Sequence, residues 1–316
     1  GAIRNIGASG MRAESGGYIE NKETGVIANT SSSGMTVSGL NSLAVNRGTI
    51  SNNGVYSMWI EKEAIGKNYG ILQNAGVQGM SVTDYGRAEN YGIIQNTGDS
   101  GMWAQAGGVA VNEVGGIIQN TGNAGMHTNG ASSVIINNGL IENTGDRGMN
   151  SANYSGTTIN NGTIKNKGNI GMSNNGSAVN NGLIELTGDN KTGITTDSTS
   201  GTTINNGTII VHGANTTGMY ASNKSTIINQ GTITLDGTGV GMSAVSGSHI
   251  VLGAGSIINI GNQTMTATGT ETSADGFYVR TDATSDVNNQ GAITSNTKIT
   301  IDGTGKFILN DVSGTL

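Results

Sequence analysis

The 316-residue sequence contains no cysteine, no proline, two tryptophans, eight tyrosines and two phenylalanines. Without cysteine there are no disulfide staples, no thiol nucleophile and no thiolate metal site. Without proline no position is barred from donating to a backbone ladder. Collagen is excluded as well, because glycine does not recur at every third residue. Charged residues make up 11% of the chain and the net charge is −6, so no basic patch exists to neutralise phosphates, and nucleic acid is not an expected partner. No apolar run approaches the ~18 residues of a membrane span. Leucine is scarce at 10 residues, whereas glycine numbers 54 and asparagine 40. Both are poor helix formers, which argues against a helical bundle or an ordinary α/β enzyme. The chain opens Gly1-Ala2-Ile3-Arg4 without the apolar core of a signal peptide and is read as a fragment of a longer rod.

The abundant residues recur at a fixed interval. Met11, Met35, Met58, Met80, Met102, Met126, Met149, Met172, Ile194, Met219 and Met242 follow one another at gaps of 22 to 25 residues. A glycine series running from Gly25 and Gly48 to Gly231 and Gly255 keeps the same period. Two residues after these glycines stand Ile27, Ile50, Leu72, Ile94, Ile118, Ile141, Ile164, Ile184, Ile209, Ile233 and Ile257. Two residues before them stand Asn46, Asn68, Asn90, Asn137, Asn160, Asn180, Asn205 and Asn229, with Val114 interrupting. So uniform an aliphatic column fits parallel strands stacked ~4.8 Å apart. The amide column fits a tight turn in which side chains hydrogen-bond along the stack. A second column, Asn29, Asn52, Asn74, Asn96, Asn120, Asn143 and Asn166, gives way to Leu186, Val211 and Leu235, so the cross-section is expected to change near residue 186.

Leucine-rich repeats share this period but need about four leucines per unit, and helical repeats run to ~33 residues or more. A disordered chain would not hold an aliphatic residue in register through the array. The expected fold is therefore all-β: a single-stranded, right-handed parallel β-helix of about 12–13 coils of about 23 residues, with three short strands per coil. Residues 1–262 are expected to form regular coils and 263–285 an irregular, protruding insertion in which Gly276-Phe277 stands in for Gly-Met. Residues 286–316 would make the final coil or coils.

Asn160-Asn161-Gly162-Thr163-Ile164, Gly188-Asp189-Asn190-Lys191-Thr192-Gly193-Ile194, Asn205-Asn206-Gly207-Thr208-Ile209 and Thr217-Gly218-Met219-Tyr220 carry a resemblance. They resemble the passenger repeats of type V autotransporter adhesins, and look most like the large fusobacterial outer-membrane adhesins of the RadD type. The resemblance covers essentially residues 1–262. It implies a cell-surface β-helical passenger of a Gram-negative bacterium, exported through a C-terminal β-barrel that this chain does not contain, and used for adhesion to host cells or other bacteria. The implied partner is a surface protein or glycan, met by a monomer that needs no cofactor. The alternatives are an inert stalk segment and a β-helical polysaccharide lyase or hydrolase.

In a strand the residue after an inward methionine points outward, which puts Trp59 and Trp103 on one face, two coils apart. Tyr56, Trp59, Tyr69, Tyr85, Tyr91 and Trp103 fall within one stretch of sequence, beside Glu61, Lys62, Glu63, Lys67, Arg87, Glu89 and Glu113. Exposed aromatics beside charges suit a protein hot spot or a sugar-stacking surface, and these six are the candidate binding residues. The competing reading is that Tyr69 and Tyr91 replace a turn asparagine with a packed pair. Asp99, Asn123, Asp146, Asn169 and Asp189 alternate along another column. Without a calcium-binding nonapeptide repeat, they read as charge spacing rather than a metal site. Glu89, Glu113 and Lys67, expected at equivalent positions of adjacent coils, are the best catalytic candidates for a glycan-cleaving enzyme. His127, His212 and His249 lie at different coil positions. A non-enzymatic chain with no catalytic and no metal site is expected.

Overall fold

The structure is a computed structural model describing residues 1–4, 7–28, 30–51, 54–152, 156–253 and 256–260. Beyond these it describes the backbone of strands Gln263–Thr266, Gly269–Thr270, Gly276–Thr281, Asp286–Asn289, Ile293–Ser295, Ile301–Asp302 and Lys306–Leu309. The fold is an all-β parallel β-solenoid of about 11 turns of about 23 residues. The chain divides into two compact units, Gly1–Gly168 and Asn169–Leu316.

In the first unit each coil gives one strand to each of three parallel sheets. One coil runs through Tyr56–Glu61, Ile65–Asn68 and Ile71–Gln73 before Gln78–Val82 begins the next. The methionine sheet aligns Met35, Met58, Met80, Met102, Met126 and Met149 opposite one another. The isoleucine sheet aligns Ile27, Ile50, Leu72, Ile94, Ile118, Ile141 and Ile164. Both columns are buried, so the core is built of identical side chains stacked coil on coil. Except at Met58, which follows Ser57, each of these methionines follows a glycine that leaves room for the isoleucine column: a Cβ on Gly101 would overlap Cγ2 of Ile118.

The asparagine sheet ends each strand on a buried amide. Asn21 donates to Asn46 (2.8 Å), Asn46 to Asn68 (2.7 Å), Asn68 to Asn90 (2.7 Å), Asn90 to Asn112 (2.8 Å), Asn112 to Asn137 (2.8 Å) and Asn137 to Asn160 (2.8 Å). The same Nδ2 of Asn90 reaches the Gly92 carbonyl at 3.1 Å. The ladder thus satisfies polar groups that would otherwise be stranded in the core. It is not interrupted at Val114, as spacing from Gly116 suggested: Asn112 fills the position opposite Asn90 and Asn137. Val114 and Gly115 are an insertion, with Val114 80% exposed and Gly115 at φ 87°. Asn74, Asn96, Asn120 and Asn143 turn the next corner in the left-handed region, at φ 51–54°; Asn29 and Asn52 lie outside the described residues.

The second unit aligns Met172, Ile194, Met219 and Met242, and its amides run Asn180 to Asn205 (2.7 Å) and Asn205 to Asn229 (2.8 Å). Its isoleucine-sheet strands are longer, as in Leu183–Thr187 and Thr208–His212. The asparagine corner is gone, and Leu186, Val211, Leu235 and Ile260 point into the core, in keeping with the expected change of cross-section. Ile258, not Ile257, continues the aliphatic column, because the register places it opposite Ile233.

Within the expected insertion at 263–285, Gln263–Thr266 folds back antiparallel on Ile257–Ile260, and Gly276–Thr281 joins the methionine sheet. There Val279 lies opposite Met242 and Phe277 opposite Val240. Gly276-Phe277 therefore does not replace Gly-Met; it occupies the entry to the strand.

Candidate binding site

The six candidate aromatics stand at three places on the first unit. Tyr56, Trp59 and Trp103 belong to the methionine sheet, Tyr85 to the turn leaving it, and Tyr69 and Tyr91 to the corner after the asparagine sheet. Closeness in sequence does not gather them, because each coil carries its residues round the whole cross-section.

On the methionine sheet, the outward column runs Thr36, Trp59, Ser81, Trp103, His127 and Asn150. Trp59 lies tilted against Tyr56, ring centroids 5.8 Å apart. Trp103 stacks on His127 at 4.0 Å, and its indole N–H reaches Oε1 of Gln105 at 3.4 Å. Ser81 and His127 face outward yet are only 3% and 7% exposed, so neighbouring side chains roof them, while both tryptophans stay half-buried. Burial, opposed by Asp99, pushes the His127 imidazole down to about 4. Nδ1 of His127 lies 3.4 Å from the Asn150 amide, and Nε2 has no hydrogen-bond partner. The sequence marked His127 as an outward residue but gave no sign of the stack, which depends on where Trp103 leans.

At the other corner Tyr69 and Tyr91 stack at 4.8 Å with planes 8° apart, and Arg47 lies 4.8 Å over Tyr69. They occupy the same corner position as Asn138 and Asn161, whose backbone N–H groups bond the preceding coil in the same way. The packed-pair reading describes this geometry. Beside them Lys67 Nζ lies 2.9 Å from Glu89, and Arg87 Nε 2.5 Å from it. The Tyr91 hydroxyl donates to Glu89 at 3.2 Å. Burial pushes the Glu89 carboxyl up, but the bonds and charges of Arg87 and Lys67 outweigh it and hold the carboxyl below its usual range. The bond to Glu89 raises Lys67. Glu113 is not equivalent to Glu89, as expected from spacing: Val111 stands opposite Glu89, and Glu113 follows Asn112 as Tyr91 follows Asn90. A carboxylate committed to two cations and a phenol is poorly placed to donate a proton as a general acid.

The Asp/Asn column is also revised. Asn123 follows Asp99 and Asp146 follows Asn123 through backbone bonds, and the Asn123 amide donates to Asp99 at 3.1 Å, so the asparagine between the two carboxylates is bonded to the first of them. In the second unit Thr192 lies opposite Ile170, which sets Lys191, not Asp189, beside Asn169. Among the described residues no group of His, Asp and Glu is arranged to hold a metal ion.

Three further features escaped the sequence reading. Gln119 donates to Gln95 (2.8 Å) and Gln95 to Gln73 (3.0 Å) on the outside of the isoleucine sheet. Next to that ladder a shallow depression of about 620 Å³ is lined by Ile117, Leu140, Glu142, Thr163 and Lys165. In the second unit His212 Nδ1 lies 2.5 Å from Asp236 and Nε2 3.5 Å from Glu185; the Asp236 bond raises the imidazole.

A family model described as the BigA third pectate lyase-like domain matches residues 167–255. No curated protein and no solved structure matches the chain.

Proposed function

We propose that this chain is a passenger segment of an exported bacterial cell-surface adhesin, and that it meets its partner without chemical turnover. The observation that carries the reading is the match over residues 167–255 to a domain of BigA, an autotransporter-type adhesin, in a chain that forms a β-solenoid. Ladders of identical inward residues leave outward positions free to vary, and contact residues can be placed there without disturbing the core. The RadD-type likeness of the repeats supports the same reading at a finer level.

The test is competition. Purified chain added to cells that display the parent protein should inhibit their adhesion in a dose-dependent way; an inert stalk segment would leave adhesion unchanged. The matched family's description also favours a second reading, a polysaccharide lyase or hydrolase, with Glu89 its best candidate. Release of unsaturated or reducing ends from a polysaccharide panel, abolished by Glu89→Gln, would establish that reading, and no release is expected.

A further inference from the structure

We infer that the outward column of the methionine sheet, from Tyr56 and Trp59 to Trp103, is a two-subsite platform for an extended, uncharged oligosaccharide. The inference rests on the adhesin reading and names the chemical class of its ligand.

Three observations carry it. First, Trp59 and Trp103 are separated in register by Ser81 alone, which sets their backbone positions about 10 Å apart, two strand spacings. An extended chain of β-linked pyranoses turns the same face to one side at every second sugar, over a similar distance. Second, the rings are held in place before any ligand arrives. Trp103 is backed by His127 at 4.0 Å and tied to Gln105, and Trp59 is propped on Tyr56. A pre-positioned ring loses little entropy on binding. Third, at Trp103 the platform is one residue wide. Asp99 and Asn123 lie on one side of Trp103, and Gln105 and Asn129 on the other. A protein interface calls for a broad apolar centre. A line of indoles edged by amides and a carboxylate instead suits sugar C–H faces, with the hydroxyls bonded at the sides.

The chain contains only these two tryptophans, so its intrinsic emission reads the platform directly. Titration with cellotetraose and with chitotetraose should give a saturable change in emission with at least one of them. Dextran, whose linkage does not present alternate faces, should give none. Trp103→Ala should weaken binding roughly tenfold or more, the scale of one lost ring stack, and Val114→Ala, on an exposed bulge outside the sheet, should leave it unchanged. Trp103→Phe keeps a ring over His127 and should retain most of the binding, which separates a lost contact from a misfolded sheet; far-ultraviolet circular dichroism checks each variant. Absence of any change with both tetraoses, or binding measured by isothermal titration calorimetry that survives Trp59→Ala combined with Trp103→Ala, would overturn the inference. So would inhibition of cell adhesion that the double variant retains and that protease treatment of the target cells abolishes, an outcome that would leave the adhesin reading standing. Failure of the unaltered chain to inhibit adhesion would overturn the adhesin reading, whatever the titrations show.

Discussion

Protonating His127 places a cation beneath the indole of Trp103 in a site that excludes water. Burial holds its folded pKa at about 4, whereas an unfolded histidine titrates near ~6.5. The neutral imidazole therefore contributes its full stability above that unfolded value. As the pH falls from about 6.5 towards 4 the unfolded chain takes up a proton that the folded chain refuses, and stability is lost across that window, on the order of 3 kcal/mol in total. Below the folded value the loss is complete. Emission from Trp103, in contact with the ring, should be quenched with a midpoint about 4. In His127→Gln the quenching should vanish and the acid dependence of the urea midpoint should flatten. A quenching midpoint close to the unfolded value would mean that water reaches the ring and the stack is open.

At the scale of the element, the asparagine ladder shows which part of the fold was legible. Spacing found the column, because a buried amide at a strand end must recur once per coil. It misplaced the column at Val114 and misread Ile257 for Ile258 because it was counted from glycines. Register follows the inward residue instead, and a two-residue insertion at Val114 and Gly115 changes the count without changing the ladder. The same error made Glu113 look equivalent to Glu89. The Trp103–His127 stack could not be read, since rotamers and neighbours in adjacent coils decide it, whereas the glutamine ladder was legible and overlooked: Gln73, Gln95 and Gln119 each follow a residue of the aliphatic column at the coil period. Asn90→Ala tests the ladder. It strips the Asn112 carbonyl of its donor and the Gly92 carbonyl of the same amide, inside a core where Asn90 is fully buried. The expected loss is about 2 kcal/mol, seen as a lower urea midpoint. Val114→Ala, on an exposed bulge, should change stability by no more than about 0.5 kcal/mol. Equal effects from the two substitutions would mean that the amides do not form a continuous ladder.

At the scale of the molecule, a solenoid whose coils touch only their neighbours should tolerate loss of a whole coil but not of half of one. Within the first unit Tyr69 and Tyr91 occupy the same corner, and the coil between them repeats at the 22-residue spacing that links Asn68 to Asn90. Deleting residues 70–91 joins Tyr69 to Gly92 and keeps every ladder in phase. Asn68 then faces Asn112, and Met58 faces Met102. The shortened chain should keep its β circular dichroism and unfold cooperatively. Deleting residues 70–80 puts inward residues opposite turn residues and should yield no ordered chain. The whole-coil deletion has a second reading at the platform, because it removes Ser81 and brings Trp59 directly opposite Trp103, about 4.8 Å away. Two indoles at that distance should show coupled circular dichroism bands absent from the full chain, and oligosaccharide binding that depends on the two-coil separation should fall. If the bands appear and binding is unaltered, the spacing of the tryptophans is not what the ligand reads. If the bands fail to appear in a folded chain, the deletion has shifted the register and the nearest-neighbour account of the coils is wrong.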